Sequence, residues 1–312
     1  MNNKVKGYLL GAVAAASYGT NPLFALPLYA EGFSPDSVLF FRYLFALPIL
    51  AFMLKWRGHS FRITRADLVP LVILGLIFAL SSLSLFQSYN YMDAGIASTI
   101  LFVYPIMVAV IMAMFFHEKL TTQTMLCLLM AIGGIGLLYQ NEDGATLSFV
   151  GTMIVFLSSL SYAIYIVAIN KTRLHDMVTL KVTFYVVLFG WFLFAGRTLI
   201  SGELQVPQSN DWWLWGNLIA LAVMPTAISL LCTTGAIQYI GSTPTAILGA
   251  LEPVTAVVFG VTIFGEQLTM RSIIGLILII VAVTIVVAGG GITKHLVRFR
   301  KLFPRIIKKV KK

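Results

Sequence analysis

Val103-Tyr104-Pro105-Ile106, trailed by His117-Glu118-Lys119-Leu120-Thr121, returns 148 residues later as Leu251-Glu252-Pro253-Val254, trailed by Gly265-Glu266-Gln267-Leu268-Thr269. The same offset matches Tyr91 with Tyr239, Ser81 with Ser229, Leu83 with Leu231 and Phe116 with Phe264. Each proline interrupts a long apolar run. Apolar segments broken at corresponding points of two repeats are the sequence mark of a membrane transporter and point to where its site lies.

Composition agrees. Of 312 residues, 59% are hydrophobic and only 11% charged, with a mean hydropathy of +0.91, whereas a soluble domain carries about 25% charge. A bilayer-spanning helix needs about 20 mostly apolar residues. Ten segments qualify: 6–27, 37–56, 67–90, 94–116, 122–139, 148–170, 178–199, 212–236, 244–264 and 271–291. The expectation is an all-α polytopic membrane protein of ten transmembrane helices. The N-terminal run, basic and then apolar with an Ala-x-Ala string, has the look of a signal peptide. Gly7, Ser17 and Tyr18 match Gly151, Ser161 and Tyr162 at an offset of 144, however, so the run reads as a counterpart of an internal helix.

Charge fixes the expected orientation. With the N-terminus inside, eighteen Lys and Arg fall on the cytoplasmic side, and only Arg197 and Arg271 fall outside. Both termini are thus expected in the cytoplasm. Five spans per half is odd, so the second copy must enter the membrane inverted. The units are 1–145 and 146–291, followed by a tail at 292–312. Residues 294–312 hold nine Lys and Arg and no acid, interleaved with apolar residues. That pattern suits a helix on the anionic inner leaflet. The rest of the chain is nearly neutral, so the net charge of +10 describes a tail and does not argue for nucleic-acid binding.

Several side chains could carry function. Pro105 and Pro253 each remove an N–H and displace the carbonyl four residues earlier, on Leu101 and Gly249. They read either as packing kinks or as breaks lining a substrate path. Glu252 is the only acid deep in a span, where a carboxylate costs about 2.5–3.5 kcal/mol on the insertion scale. It reads as a coupling group or as a protonated interhelical link, and its repeat mate is Tyr104. Arg42 and Lys181 lie about five residues into the second and seventh spans, near opposite membrane faces, and read first as snorkelling. Pairing of Arg42 with a substrate carboxylate is the sharper alternative. Tyr18, Asn21, Gln87 and Tyr162 complete the candidate substrate-binding set, with Ser88, Asn90, Thr99, Ser158, Tyr165, Thr226, Thr233 and Thr234 as further polar candidates. Gly7, Gly11, Ala15 and Gly19 read as a packing stripe down one face of the first helix.

Cys127 and Cys232 sit in apolar segments and read as free. No metal spacing, nucleotide-binding loop or catalytic triad motif occurs, so neither cofactor, metal nor enzymatic activity is expected. Trp212, Trp213 and Trp215 mark the outer interface.

Through the Tyr-Pro and Glu-Pro strings, each trailed by Glu-x-Leu-Thr, residues 1–291 resemble the EamA-like branch of the drug/metabolite transporter superfamily. His117 stands where that family usually has glycine. The resemblance implies two inverted five-helix repeats, a central cavity, and export of amino acids, related metabolites or toxic compounds across the bacterial inner membrane. A non-transporting scaffold or sensor acting through the basic tail is the alternative reading. The oligomeric state is not readable from the sequence.

Overall fold

The computed structural model describes residues 3–117, 122–138, 148–240, 245 and 248–285. Among these every regular element is helical and none is a strand. Hydrocarbon leaves no partner for a free N–H or C=O, so a chain this apolar must satisfy its backbone within helices. The helices are α1 (Asn3–Tyr18), α2 (Asn21–Ala30), α3 (Pro35–Trp56), α4 (Arg65–Ser88), α5 (Ala94–Leu101), α6 (Tyr104–Phe116) and α7 (Thr122–Leu138). There follow α8 (Phe149–Lys171), α9 (Thr179–Ser201), α10 (Trp212–Ala222), α11 (Ser229–Ile240), α12 (Leu251–Phe264) and α13 (Met270–Ile285).

Seven stretches are long and apolar enough to cross a bilayer, α1–α2 and α5–α6 each counting as one; the shorter helices around 125–137, 251–264 and 270–285 are also apolar. Residues such as Leu129, Ile132, Val258, Ile274 and Ile277 turn outward. A contiguous apolar exterior of this kind marks a membrane-facing surface. The chain is a multi-pass membrane protein. The first Glu-x-Leu-Thr copy and the basic tail lie outside the described residues.

Helix ends follow local chemistry. The Ser34 hydroxyl accepts from the Ser37 N–H (3.3 Å) at the start of α3, and the Ser148 hydroxyl accepts from Gly151 (3.2 Å) at the start of α8. Gly265 ends α12 with φ of 68°, and His117 ends α6 with φ of 54°. These are repeat mates, so the histidine forms the same left-handed cap that its glycine counterpart forms. A side chain in that conformation costs about 1 kcal/mol. His117→Gly is therefore expected to raise the thermal unfolding midpoint in detergent; an unchanged or lower midpoint would contradict the strain.

Packing pairs α1 with α11, α4 with α8, α3 with α9, and α5 with α12. The α1–α11 approach is close: a Cβ on Gly7 would lie 2.5 Å from Ile240 Cγ2. Tyr43 of α3 meets Phe194 of α9 edge-on at 5.1 Å, inside a core that includes the fully buried Phe86.

Among the described residues four spans are interrupted. The first breaks at Gly19–Thr20, ahead of Pro22, and the fourth breaks at Phe102–Val103, ahead of Pro105. Wide π-helical turns at Val223–Ile228, around Pro225, join α10 to α11. Turn residues Gly249–Ala250 precede Leu251-Glu252-Pro253 at the start of α12. The mates of the first and eighth spans, α8 and α4, run unbroken. Proline explains the difference, because Pro22 and Pro225 have Ile166 and Ile77 as counterparts.

Candidate functional site

The four interruptions meet at one cavity of about 350 Å³. Tyr18 borders it just before the first break, Leu101 and Tyr104 straddle the second, Ser229 follows the third, and Gly249 and Glu252 flank the fourth. Unbroken helices supply Arg42 from α3, Phe78, Ser81 and Ser82 from α4, and Tyr162 from α8. A second cavity of about 200 Å³ shares Tyr18, Arg42 and Tyr162 and runs past Pro225 and Thr226 to Tyr43 and Tyr165.

The breaks leave carbonyls that need partners. Pro105 cannot donate to Leu101, and the Ser159 hydroxyl of α8 donates to that carbonyl instead at 3.1 Å. At the other break the Gly249 carbonyl accepts from the Glu252 N–H at 3.0 Å. Both prolines thus open a helix at the cavity wall while the protein itself closes the hydrogen-bond account. The hydroxyls of Ser81 and Ser158 each donate to the other residue's carbonyl, at 3.0 and 2.7 Å, which clamps α4 to α8 behind the cavity.

Arg42 does not snorkel. It is 7% exposed, and its guanidinium lies over the Phe86 ring at 5.2 Å. Its Nε donates to Thr226 Oγ1 at 3.4 Å, and the Tyr18 hydroxyl lies beside it. Thr226 sits on the π-helical turns, which place its hydroxyl toward α3. Lys181, by contrast, reaches an exposed end and donates to the Arg62 carbonyl. Snorkelling is thus corrected for Arg42, whereas the Lys181 ammonium meets a carbonyl of the loop before α4.

Among the described residues no carboxylate lies within ion-pair distance of Arg42; Asp36, in the first turn of α3, pairs instead with Arg197. Glu252 faces the same cavity, and its carboxylate has no hydrogen-bond partner among the described residues. The Tyr18 hydroxyl stands within electrostatic reach of both. A buried charge without a counter-charge carries a penalty of several kcal/mol. Arg42 thus offers an unmatched cation to an anionic group of a small molecule, and Glu252 presents a carboxyl to the same cavity.

Aromatic rings build one wall. Tyr104 meets Tyr162 edge-on at 4.7 Å, Tyr162 stacks on Tyr165 at 5.9 Å, and Phe78 lies 5.1 Å from Tyr165. Such rings accept apolar or planar groups and can face a cation.

Of the residues singled out in the sequence, Tyr18, Arg42, Tyr104, Tyr162 and Glu252 come together here. Pro105 and Pro253 stand directly behind Tyr104 and Glu252. Asn21 does not line either cavity; it donates to the Tyr18 carbonyl at 2.9 Å across the first break, and its Oδ1 is buried without a partner. Gln87 lies in the last turn of α4, outside the lining. Phe78 and Ser82 escaped the sequence reading, whereas Gly249 was marked there through its displaced carbonyl. Ser81 and Ser229 escaped as site residues although their match across the repeat marked them. The described residues hold no group of three or more potential metal ligands.

The family model for EamA-like transporters matches residues 5–140 and 149–288. The chain belongs to the EamA-like transporter family. An archaeal relative from Archaeoglobus fulgidus, named an uncharacterized transporter, is 29% identical over 256 residues, covering 80% of this chain and 85% of its own. The uncharacterized transporter YcbK of Bacillus subtilis is 24% identical over 275 residues, covering 86% and 87%. A solved crystal structure at 16% identity superposes with a TM-score of 0.67 over 93% of this chain and 98% of that one, a likeness of fold. As an EamA-like protein the chain is a membrane transporter and not an enzyme, so a small-molecule substrate and a lipid bilayer are its natural partners.

Proposed function

We propose that this EamA-like protein is an alternating-access secondary transporter of the bacterial inner membrane, exporting amino acids, related small metabolites or toxic compounds. The observation that carries the reading is the cavity at the four helix breaks, with Arg42 and Glu252 facing it uncompensated. Side chains that recognise cargo sit on segments whose backbone ladder is already interrupted. A modest rearrangement at those breaks moves the walls without unravelling a continuous helix.

In this reading ten spans form two inverted five-helix repeats, 1–145 and 146–291, with both termini cytoplasmic. The helix pairings support it. Under the inversion α1–α11 exchanges with α8–α4, α3–α9 maps onto itself, and α12 of the ninth span packs on α5 of the fourth, its mate span. The two stretches matched by the family model, 5–140 and 149–288, support a duplicated unit. Residues assigned to one face also meet one another. Lys6 lies over Tyr239 at 5.0 Å and Lys171 over Phe116 at 4.7 Å on the inner side, while Arg197 pairs with Asp36 on the outer.

Arg42 receives the anionic group of the cargo, the tyrosine wall its apolar part, and Glu252 couples the cycle to protons. Glu252 is protonated in one state, and ionised and wetted in the other. The test is solute efflux from proteoliposomes with and without an imposed pH gradient: gradient-driven efflux is expected, and no flux of any amino acid or related metabolite would contradict the proposal. Deleting the tail 292–312, which is assigned to anionic inner-leaflet lipids, is expected to leave flux intact. Loss of function on that deletion, in a protein that shows no flux, would favour the scaffold alternative.

A further inference from the structure

The second Glu-x-Leu-Thr copy does something that the cavity does not use. Glu266 follows the left-handed turn at Gly265, and its own N–H donates to the Gly260 carbonyl at 3.0 Å, folding the chain back over the last turn of α12. From there its carboxylate crosses to the other half of the molecule. Oε1 accepts from the Ala94 N–H at 2.9 Å and Oε2 from the Gly95 N–H at 3.4 Å, the two leading donors of α5. The path is fitted to that one side chain. A Cβ on Gly260 would collide with Glu266 Oε2, and one on Gly95 would lie 3.0 Å from the same atom and 3.0 Å from Val257 Cα.

α5 and α12 belong to opposite repeats; α5 leads into one proline break at the cavity and α12 leads out of the other. A contact that ties their ends together at the Asp93 face restrains any motion that parts the repeats there. We propose that Glu266 is a latch between the halves, closed in this structure, which must release for the cavity to open toward the Asp93 face. The latch rests on the transporter reading for its purpose but not for its detection.

The latch is sensitive to pH in a definite direction. Burial pushes the Glu266 carboxyl up to about 7, and neighbouring Asp93 adds to the rise, against the two backbone N–H donors. Asp93 is the titratable group facing it from the α5 side, and burial raises that carboxyl as well. Neither α5 nor the rest of α12 has an ionisable group except Glu252, at the opposite end of α12. Arg271, in the first turn of α13, forms no ion pair with it among the described residues. An acid with a higher pKa when latched than when released into water binds its proton more tightly in the latched state. Protonation therefore favours closure. The preference is full below the ordinary glutamate pKa, declines as pH rises toward 7, and is gone above it.

Spin labels at Asn90→Cys and Met270→Cys, in a Cys127→Ala/Cys232→Ala background in lipid nanodiscs, read the separation of the two ends by pulsed dipolar spectroscopy. The wild-type latch is expected to give one short distance at pH 5.5 and a longer second component at pH 8.5. Its population ratio should change by about tenfold or more, with a midpoint close to 7. Glu266→Gln, a fixed mimic of the protonated acid, should stay short at both pH values. Gly260→Ala, whose Cβ displaces the carboxylate, should show the long component at both. A wild-type distribution that ignores pH, or a Glu266→Gln protein that shifts as the wild type does, would overturn the latch. Flux measured on the same protein separates the two ideas: a working latch without transport contradicts the transporter reading alone, and transport with immobile ends contradicts the latch alone.

Discussion

Arg42→Gln is expected to weaken cargo binding by about 30-fold or more, because removing one partner of a buried charge contact costs about 2–5 kcal/mol. The empty protein should not suffer. Its guanidinium is buried at 7% exposure with no carboxylate beside it among the described residues, so the wild type already bears the desolvation of an unmatched cation. Removing that charge relieves the penalty, and the thermal midpoint of the unliganded protein should hold or rise. Arg42→Lys keeps the charge but loses the planar fork that grips a carboxylate in two places, and should fall between. Isothermal titration with carboxylate-bearing solutes and a melting curve on each variant check both halves. Unchanged affinity would mean that Arg42 is not the anion site. A large fall in stability would mean that it is a structural link.

Glu252→Gln is the second large effect, and it separates coupling from binding. Glutamine keeps the size and one acceptor of the side chain but cannot carry a proton through the cycle. Each pH unit across the membrane is worth about 1.4 kcal/mol per proton, or about tenfold in solute accumulation. The variant should lose that gradient-driven component while still exchanging labelled for unlabelled solute across proteoliposome membranes. Gradient-driven efflux at the wild-type level by Glu252→Gln would remove Glu252 from coupling.

How much of this was legible in the sequence depended on whether the relevant physics was local. Proline acts through its own ring and its missing N–H, so the breaks ahead of Pro105 and Pro253 could be read directly. The freed carbonyls on Leu101 and Gly249 could be named before their partners were known. Pro225 carried the same signal within the span 212–236 and would have located the π-helical turns. Arg42 was another matter. A cation near the end of a span can reach the headgroups unless tertiary neighbours hold it inward, and Phe86 and Thr226, which hold Arg42, lie 44 and 184 residues away in the chain. Lys181 instead meets the Arg62 carbonyl at an exposed helix end.

Facing was the second obstacle. α4 is apolar nearly all round, so nothing local says which side meets the cavity. Ser81 and Gln87 are six residues apart, about 600° of helical rotation or some 240° around the axis. If Ser81 lines the cavity, Gln87 must point elsewhere, as it does. The match of Ser81 with Ser229 held better information than the polarity of Gln87, because a duplicated site preserves facing even where periodicity cannot show it. The Glu-x-Leu-Thr copies were legible as a motif, but the bond from Glu266 to Ala94 spans 172 residues and only the folded chain reveals it.

The central claim is that one cavity, bounded by Arg42 and Glu252, serves both faces of the membrane. Ser229 borders both parts of that cavity, so a cysteine there reports directly on access. Ser229→Cys, in a background with Cys127 and Cys232 replaced by alanine, should be labelled by a membrane-impermeant thiol reagent in right-side-out and in inverted vesicles alike. Saturating transported solute should protect it from both sides. Labelling confined to one face under every condition would contradict alternating access through this cavity.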